Sequence, residues 1–149
     1  MIKSLFSPKS YDRAADAGLL ILRIGVMGSL FLKHGLEKIS PASFAEMAPA
    51  FPDPAHIGHT ASLAVATVSD GVCSALIVLG LLTRGAAAYV FAVLAFAWAF
   101  THHFMYWGKG LEPKHGELIE IYITVGLALA LLGPGKYSLD WLLFKNKAE

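Results

Sequence analysis

Of the ionisable side chains that interrupt or terminate the apolar stretches of this sequence, eight are candidates for chemistry: Arg23, His34, Asp70, Cys73, His102, His103, Glu117 and Glu120. In apolar surroundings a charge needs a partner, so residue type and spacing limit what these groups can do. Arg23, Asp70 and Glu120 offer one guanidinium and two carboxylates. Such a set either locks the register of a helical bundle or forms a buried polar pocket that binds a headgroup or relays protons. Cys73 follows Asp70 by three residues and either lines that pocket or serves as a small hydrophobe. His34, His102, His103 and Glu117 form a second set. Histidine and carboxylate from several helices can hold a metal, and histidine carries protons near neutral pH. His102 and His103 stand side by side in "FTHHFMYW". Adjacent helical residues point about 100° apart, so one of the pair faces inward. The spacing matches no specific metal motif. His56 and His59 could add ligands from a loop. The alternative for all the histidines is an interfacial role, satisfied by water and headgroups.

The elements that must position these residues are long apolar helices. The chain has 149 residues, is 56% hydrophobic and only 15% charged, with a mean hydropathy of +0.57. A soluble domain averages about 25% charged residues, so lipid is the solvent this composition suits. A bilayer-crossing helix needs about 20 apolar residues. Four segments qualify: 14–36, 60–82, 86–104 and 117–132. The third is apolar around its whole circumference up to Thr101, which excludes a soluble bundle with a water-facing side. The fold expected is therefore all-α, a single-domain integral membrane four-helix bundle over 1–149. The first span is not a cleaved signal, because its apolar run carries Arg23, Lys33 and His34. Seven lysines and arginines flank one face and four the other, which predicts cytoplasmic termini. The net charge of +1, without a basic stripe, gives no reason to expect a nucleic-acid partner. The one cysteine excludes an internal disulfide and dithiol chemistry.

Between spans, the long proline-rich outer segment is expected to be irregular or to carry a short surface helix. A very short turn at "TRG" makes the second and third helices an antiparallel hairpin. Ala88, Ala92, Ala95 and Ala99 predict one packing face on the third helix, and Gly25 and Ser29 another on the first. Gly133, Pro134 and Gly135 end the fourth helix, and Ser138 caps a short C-terminal interfacial helix with Leu139, Leu142 and Leu143 on its apolar side. Counted from the cytoplasmic end, Arg23 lies about 13 Å deep and Asp70 and Glu120 about 18 Å. His34, His102, His103 and Glu117 lie at about 24–28 Å, near the outer boundary.

Three stretches resemble the DoxX family. They are "LLILRIGVMGSLFLKHGLEKI", with its arginine and its H-G-x-x-K ending, "LIVLGLLTRGAA", with an L-G-L-L-T-R turn, and "LALALLGPGKYSLD", with a closing L-L-G-P-G-x-x-S-x-D. By this resemblance Arg23, His34 and Lys38 fall on the family's first-helix pattern, and Asp70 stands where many members carry glutamate. The resemblance implies a four-helix bundle in the bacterial inner membrane. It also implies a link to thiosulfate:quinone oxidoreduction, oxidative and thiol stress, quinone detoxification or copper-handling gene clusters. The function expected is a redox-accessory subunit that binds quinone among Arg23, Asp70, Glu120 and His34, with electrons from a partner. The alternatives are a copper- or zinc-handling membrane protein using the outer histidines, and an assembly subunit without chemistry. The partners expected are the lipid bilayer and either a redox protein or further copies of this chain.

Overall fold

A computed structural model describes residues 11–101 and 116–144. It is 82% helical, with no strand among the described residues. Helix α1 spans Arg13–Ile39, α2 Pro41–Met47, α3 His59–Leu79, α4 Thr83–Phe100, α5 Gly116–Leu132 and α6 Leu139–Phe144. α1, α3 and α4 are long and apolar enough to cross a membrane. α5 has 17 described residues, a length of about 25 Å.

Local chemistry sets the boundaries. The Asp12 carboxylate accepts from Ala15 N at 2.7 Å and starts α1. α1 stops at Ser40, which is extended at ψ 122° because Pro41 follows it. α3 ends where Gly80 turns left-handed at φ 72°. The turn thus occupies residues 80–82, and Thr83 and Arg84 already belong to α4, three residues earlier than the sequence suggests. The reason lies far along the chain. The Asp140 carboxylate accepts from Leu82 N at 2.8 Å and Thr83 N at 3.0 Å, and so caps α4. α5 ends at Gly133, φ 86°. Ser138 Oγ accepts from Trp141 N at 3.1 Å and caps α6, as expected. The proline-rich segment between α1 and α3 carries the short helix α2 and a 3₁₀ turn at Ala48–Ala50.

Met27, Leu30, Ile77, Ala87, Val90, Tyr122 and Leu129 form the core between the long helices. Ala88 and Ala92 are exposed, so α4 packs through Ala86, Ala87 and Val90 instead of the expected alanine row. An all-apolar helix gives no sequence signal for which side meets protein and which meets lipid. At Gly126 α5 lies against α4: a Cβ there would make an ordinary contact, 3.5 Å from the Ala87 carbonyl oxygen.

Two helices carry π-helical turns, at Arg23–Met27 and Phe31–Gly35 in α1 and at Val68–Cys73 in α3. Such turns rotate the following side chains out of α register and often mark functional places. Two of them meet. A Cβ on Gly35 would lie 2.3 Å from the Asp70 carbonyl oxygen, and one on Gly71 would lie 2.7 Å from the Ile39 side chain. α1 and α3 therefore cross backbone to backbone at this point.

Candidate functional site

The crossing places Lys38, one turn beyond Gly35, against Asp70. Lys38 Nζ lies 2.5 Å from Asp70 Oδ2, with the two side chains 14% and 6% exposed. The other carboxylate oxygen, Oδ1, is buried and has no hydrogen-bond partner among the described residues. Ser74 Oγ donates to the Asp70 backbone carbonyl, which fixes the π turn from below. The ammonium spends one of its three donors on Asp70, so it retains donors for another acceptor.

Lys38 and Asp70 both line a cavity of about 370 Å³. The walls are Leu30 and His34 from α1, Val65 and Ala66 from α3, Val93, Leu94, Phe96 and Ala97 from α4, and Leu118, Ile119 and Tyr122 from α5. They are mostly apolar, in keeping with pockets for small organic molecules. Tyr122 is buried; its hydroxyl lies 3.1 Å from Ser29 Oγ, which itself donates to Val26 O at 2.7 Å. Tyr122 OH is thus the donor of that pair. The His34 ring stands edge-on to Tyr122, with centroids 6.3 Å apart at 81°.

The segment 51–62 roofs the cavity with Phe51, Pro52, Pro54 and Ile57. Asp53 holds this roof. It accepts from Ile57 N at 3.0 Å, Gly58 N at 2.8 Å and Ser62 Oγ at 2.7 Å. The Ser62 hydroxyl above all, then the Gly58 and Ile57 amides and nearby His59, hold its carboxyl below the ordinary value of 3.8. His59 Nδ1 donates to the Phe51 carbonyl at 2.5 Å and pins the other edge.

The expected sets are regrouped. Arg23 is fully buried, but it does not meet Asp70 or Glu120. Its guanidinium donates to the carbonyls of Val78, at 3.5 Å, and Tyr137. A helical side chain leans toward its own helix N-terminus. That carries Arg23 down to the last turn of α3, whose carbonyls lack helical partners. The same lean brings Lys38 back to Asp70. Gly80 makes room for the guanidinium: a Cβ there would lie 2.2 Å from Arg23 Nη1. Glu120 and Glu117 are exposed on α5 and do not line the cavity. Cys73 is buried in the core rather than in the cavity wall. His102 and His103 lie outside the described residues. Among the described residues no three His, Cys, Asp or Glu side chains converge to hold a metal ion. His34 and Asp70 are the expected residues that the cavity brings together. Lys38, Tyr122, Ser29 and the Asp53 roof were not singled out as site residues. The signal for Lys38 was present in the H-G-x-x-K ending, where Gly35 marks a close approach and Lys38 stands one turn on.

The DoxX family profile matches residues 18–103, more than half of the chain and the whole of α3 and α4. No curated protein and no solved structure matches it.

Proposed function

The chain belongs to the DoxX family, and from that premise we propose that it is a bacterial inner-membrane protein that binds a quinone-type ring and serves a membrane oxidoreductase. Both termini lie on the cytoplasmic side, α5 is the fourth span, and the cavity opens in the outer half of the bilayer. The observation that carries this reading is the Lys38–Asp70 pair lining an apolar, ring-sized cavity. A quinone is a flat apolar ring with carbonyl acceptors. The spare donors of Lys38 suit a carbonyl, and Tyr122, Leu30 and Leu94 suit the ring faces. The chain offers no dithiol, so the electrons come from a partner redox protein, and this protein supplies the binding site.

The test separates binding from folding. Removing one member of a buried pair strands the other charge, whereas replacing both leaves none stranded. The double variant Lys38→Gln/Asp70→Asn is therefore expected to remain folded in detergent yet to lose binding of a water-soluble benzoquinone, read by tryptophan fluorescence quenching. Unchanged affinity in the double variant would remove the ion pair from the site and the reading with it.

A further inference from the structure

The wall of the cavity is not closed all round. α3 packs along α4 over Val68–Cys73 and Ser74–Leu79 but parts from it over His59–Thr67. The two helices form a wedge that opens toward the roofed end. Inside the wedge the facing side chains are small, Ala66 on α3 and Ala97 on α4, and both line the cavity. At its mouth stand Val65 and Phe96. Each lines the cavity and keeps more than a third of its surface exposed, 38% and 40%. The Tyr89 hydroxyl reaches the Val65 carbonyl at 3.5 Å and so ties the helices at the inner edge of this mouth. Above, the roof of residues 51–62 covers the end of the cavity and is pinned by Asp53 and His59.

We infer that the cavity is loaded sideways from the bilayer, through the Val65–Phe96 gap, and that its ligand is a ring with a long hydrocarbon tail. The inference rests on the quinone reading of the site and adds how the molecule arrives and what it carries. With the ring against Lys38, the cavity of about 370 Å³ has little room for more than the head and the first part of a tail. The remainder leaves through the gap and lies along the apolar outer surfaces of α3 and α4, among Val65, Val68, Val72 and Phe96, all exposed. A tail in that position stays in hydrocarbon throughout, so an isoprenoid or alkyl quinone never crosses water to reach the site. The pinned roof is then a cover, and the path runs through lipid.

Two probes and three variants test this in the full-length protein in nanodiscs. The probes are a tail-less benzoquinone and the same ring carrying a decyl chain, each read by isothermal titration calorimetry. The wild type is expected to bind the decyl probe more tightly. Val65→Trp fills the gap. It is expected to weaken the decyl probe about tenfold more than the tail-less probe, the loss of contact with about two methylenes. Leu127→Trp, equally bulky and exposed on α5 away from the cavity, is expected to change neither. Should Val65→Trp fail to fold, Val65→Phe is the milder wedge with the same expected order of effects. Equal wild-type affinity for both probes overturns the tail, and undiminished decyl binding in the Val65 variants overturns the sideways path; in either case the ring site stands. If neither probe binds the wild type, the quinone reading fails and takes this inference with it.

Discussion

At the scale of single residues, the Lys38–Asp70 pair is the feature with the largest energetic consequence. Two nearly buried charges in an apolar wall are tolerable only together. Lys38→Ala and Asp70→Ala should each cost about 3–5 kcal/mol, because each strands the other charge. Their combination should cost less than the sum, with a coupling of about 0.5–3 kcal/mol in a double-mutant cycle of thermal stability in detergent. Strictly additive losses would mean that the two groups do not depend on each other. The sequence revealed that Asp70 needs a partner but not which one. Counting residues along a helix fixes the height of a Cα. It ignores the downward lean that carries Arg23 to Val78 O and Lys38 to Asp70. It is also blind to azimuth: Glu120 has the same counted depth as Asp70 yet is exposed. Lys38 itself lay just past the end of the first apolar run, so a hydropathy boundary at Leu36 left it outside.

At the scale of elements, the site exists because α1 and α3 give up regular helix where they cross. The π turns at Phe31–Gly35 and Val68–Cys73 and the absent Cβ atoms of Gly35 and Gly71 bring the two backbones together. The glycines are visible in the sequence; the π turns are not, since hydrophobic periodicity is read on an α-helical repeat. The roof is a second element whose logic is local. Asp53 accepts from two backbone amides and a serine, all within nine residues of it. Its carboxyl is held below the ordinary value of 3.8 in the folded chain. Folding therefore favours the ionised form, and the stabilisation is fully present above 3.8 and lost as the pH falls further, through the folded value. Hydrogen exchange at the Ile57 and Gly58 amides, corrected for the intrinsic rate, should stay constant from neutral pH down to that ordinary value. Below it, exchange should rise. Asp53→Ala should show fast exchange at every pH. Opening of the roof well above the ordinary value would show that Asp53 does not hold it.

At the scale of the whole molecule, two ends have two roles. The cavity occupies the end that carries the roof, and a clasp of hydrogen bonds occupies the end that carries residues 11 and 144. In the clasp, Asp16 Oδ1 accepts from Lys136 N at 3.0 Å, Tyr11 OH donates to Leu132 O at 2.9 Å, and Asp140 N donates to Gly80 O at 2.8 Å. The stretches that carry the family resemblance at this end, around Gly80, Thr83 and residues 133–140, are thereby accounted for by helix ends that need partners rather than by chemistry. The segment order and the break at Gly133 were legible, because apolar length and glycine punctuation are properties of the chain itself. The clasp was not, because its partners are 57 and 58 residues apart, as Thr83 and Leu82 are from Asp140. Asp140 tests the division of roles. Its carboxylate caps the first amides of α4, and loss of a capping side chain costs about 0.5–2 kcal/mol. Its own amide bond to Gly80 is a backbone contact that an alanine keeps. Asp140→Ala should therefore lower the melting temperature in detergent while the benzoquinone affinity stays at the wild-type value, because the clasp and the cavity share no residue. Distant sites without shared partners behave additively, so the Asp140→Ala loss should also be the same in the Lys38→Gln/Asp70→Asn background. A loss of quinone affinity in Asp140→Ala, at a temperature where the protein remains folded, would show that the clasp sets the shape of the cavity and that the two ends act as one unit.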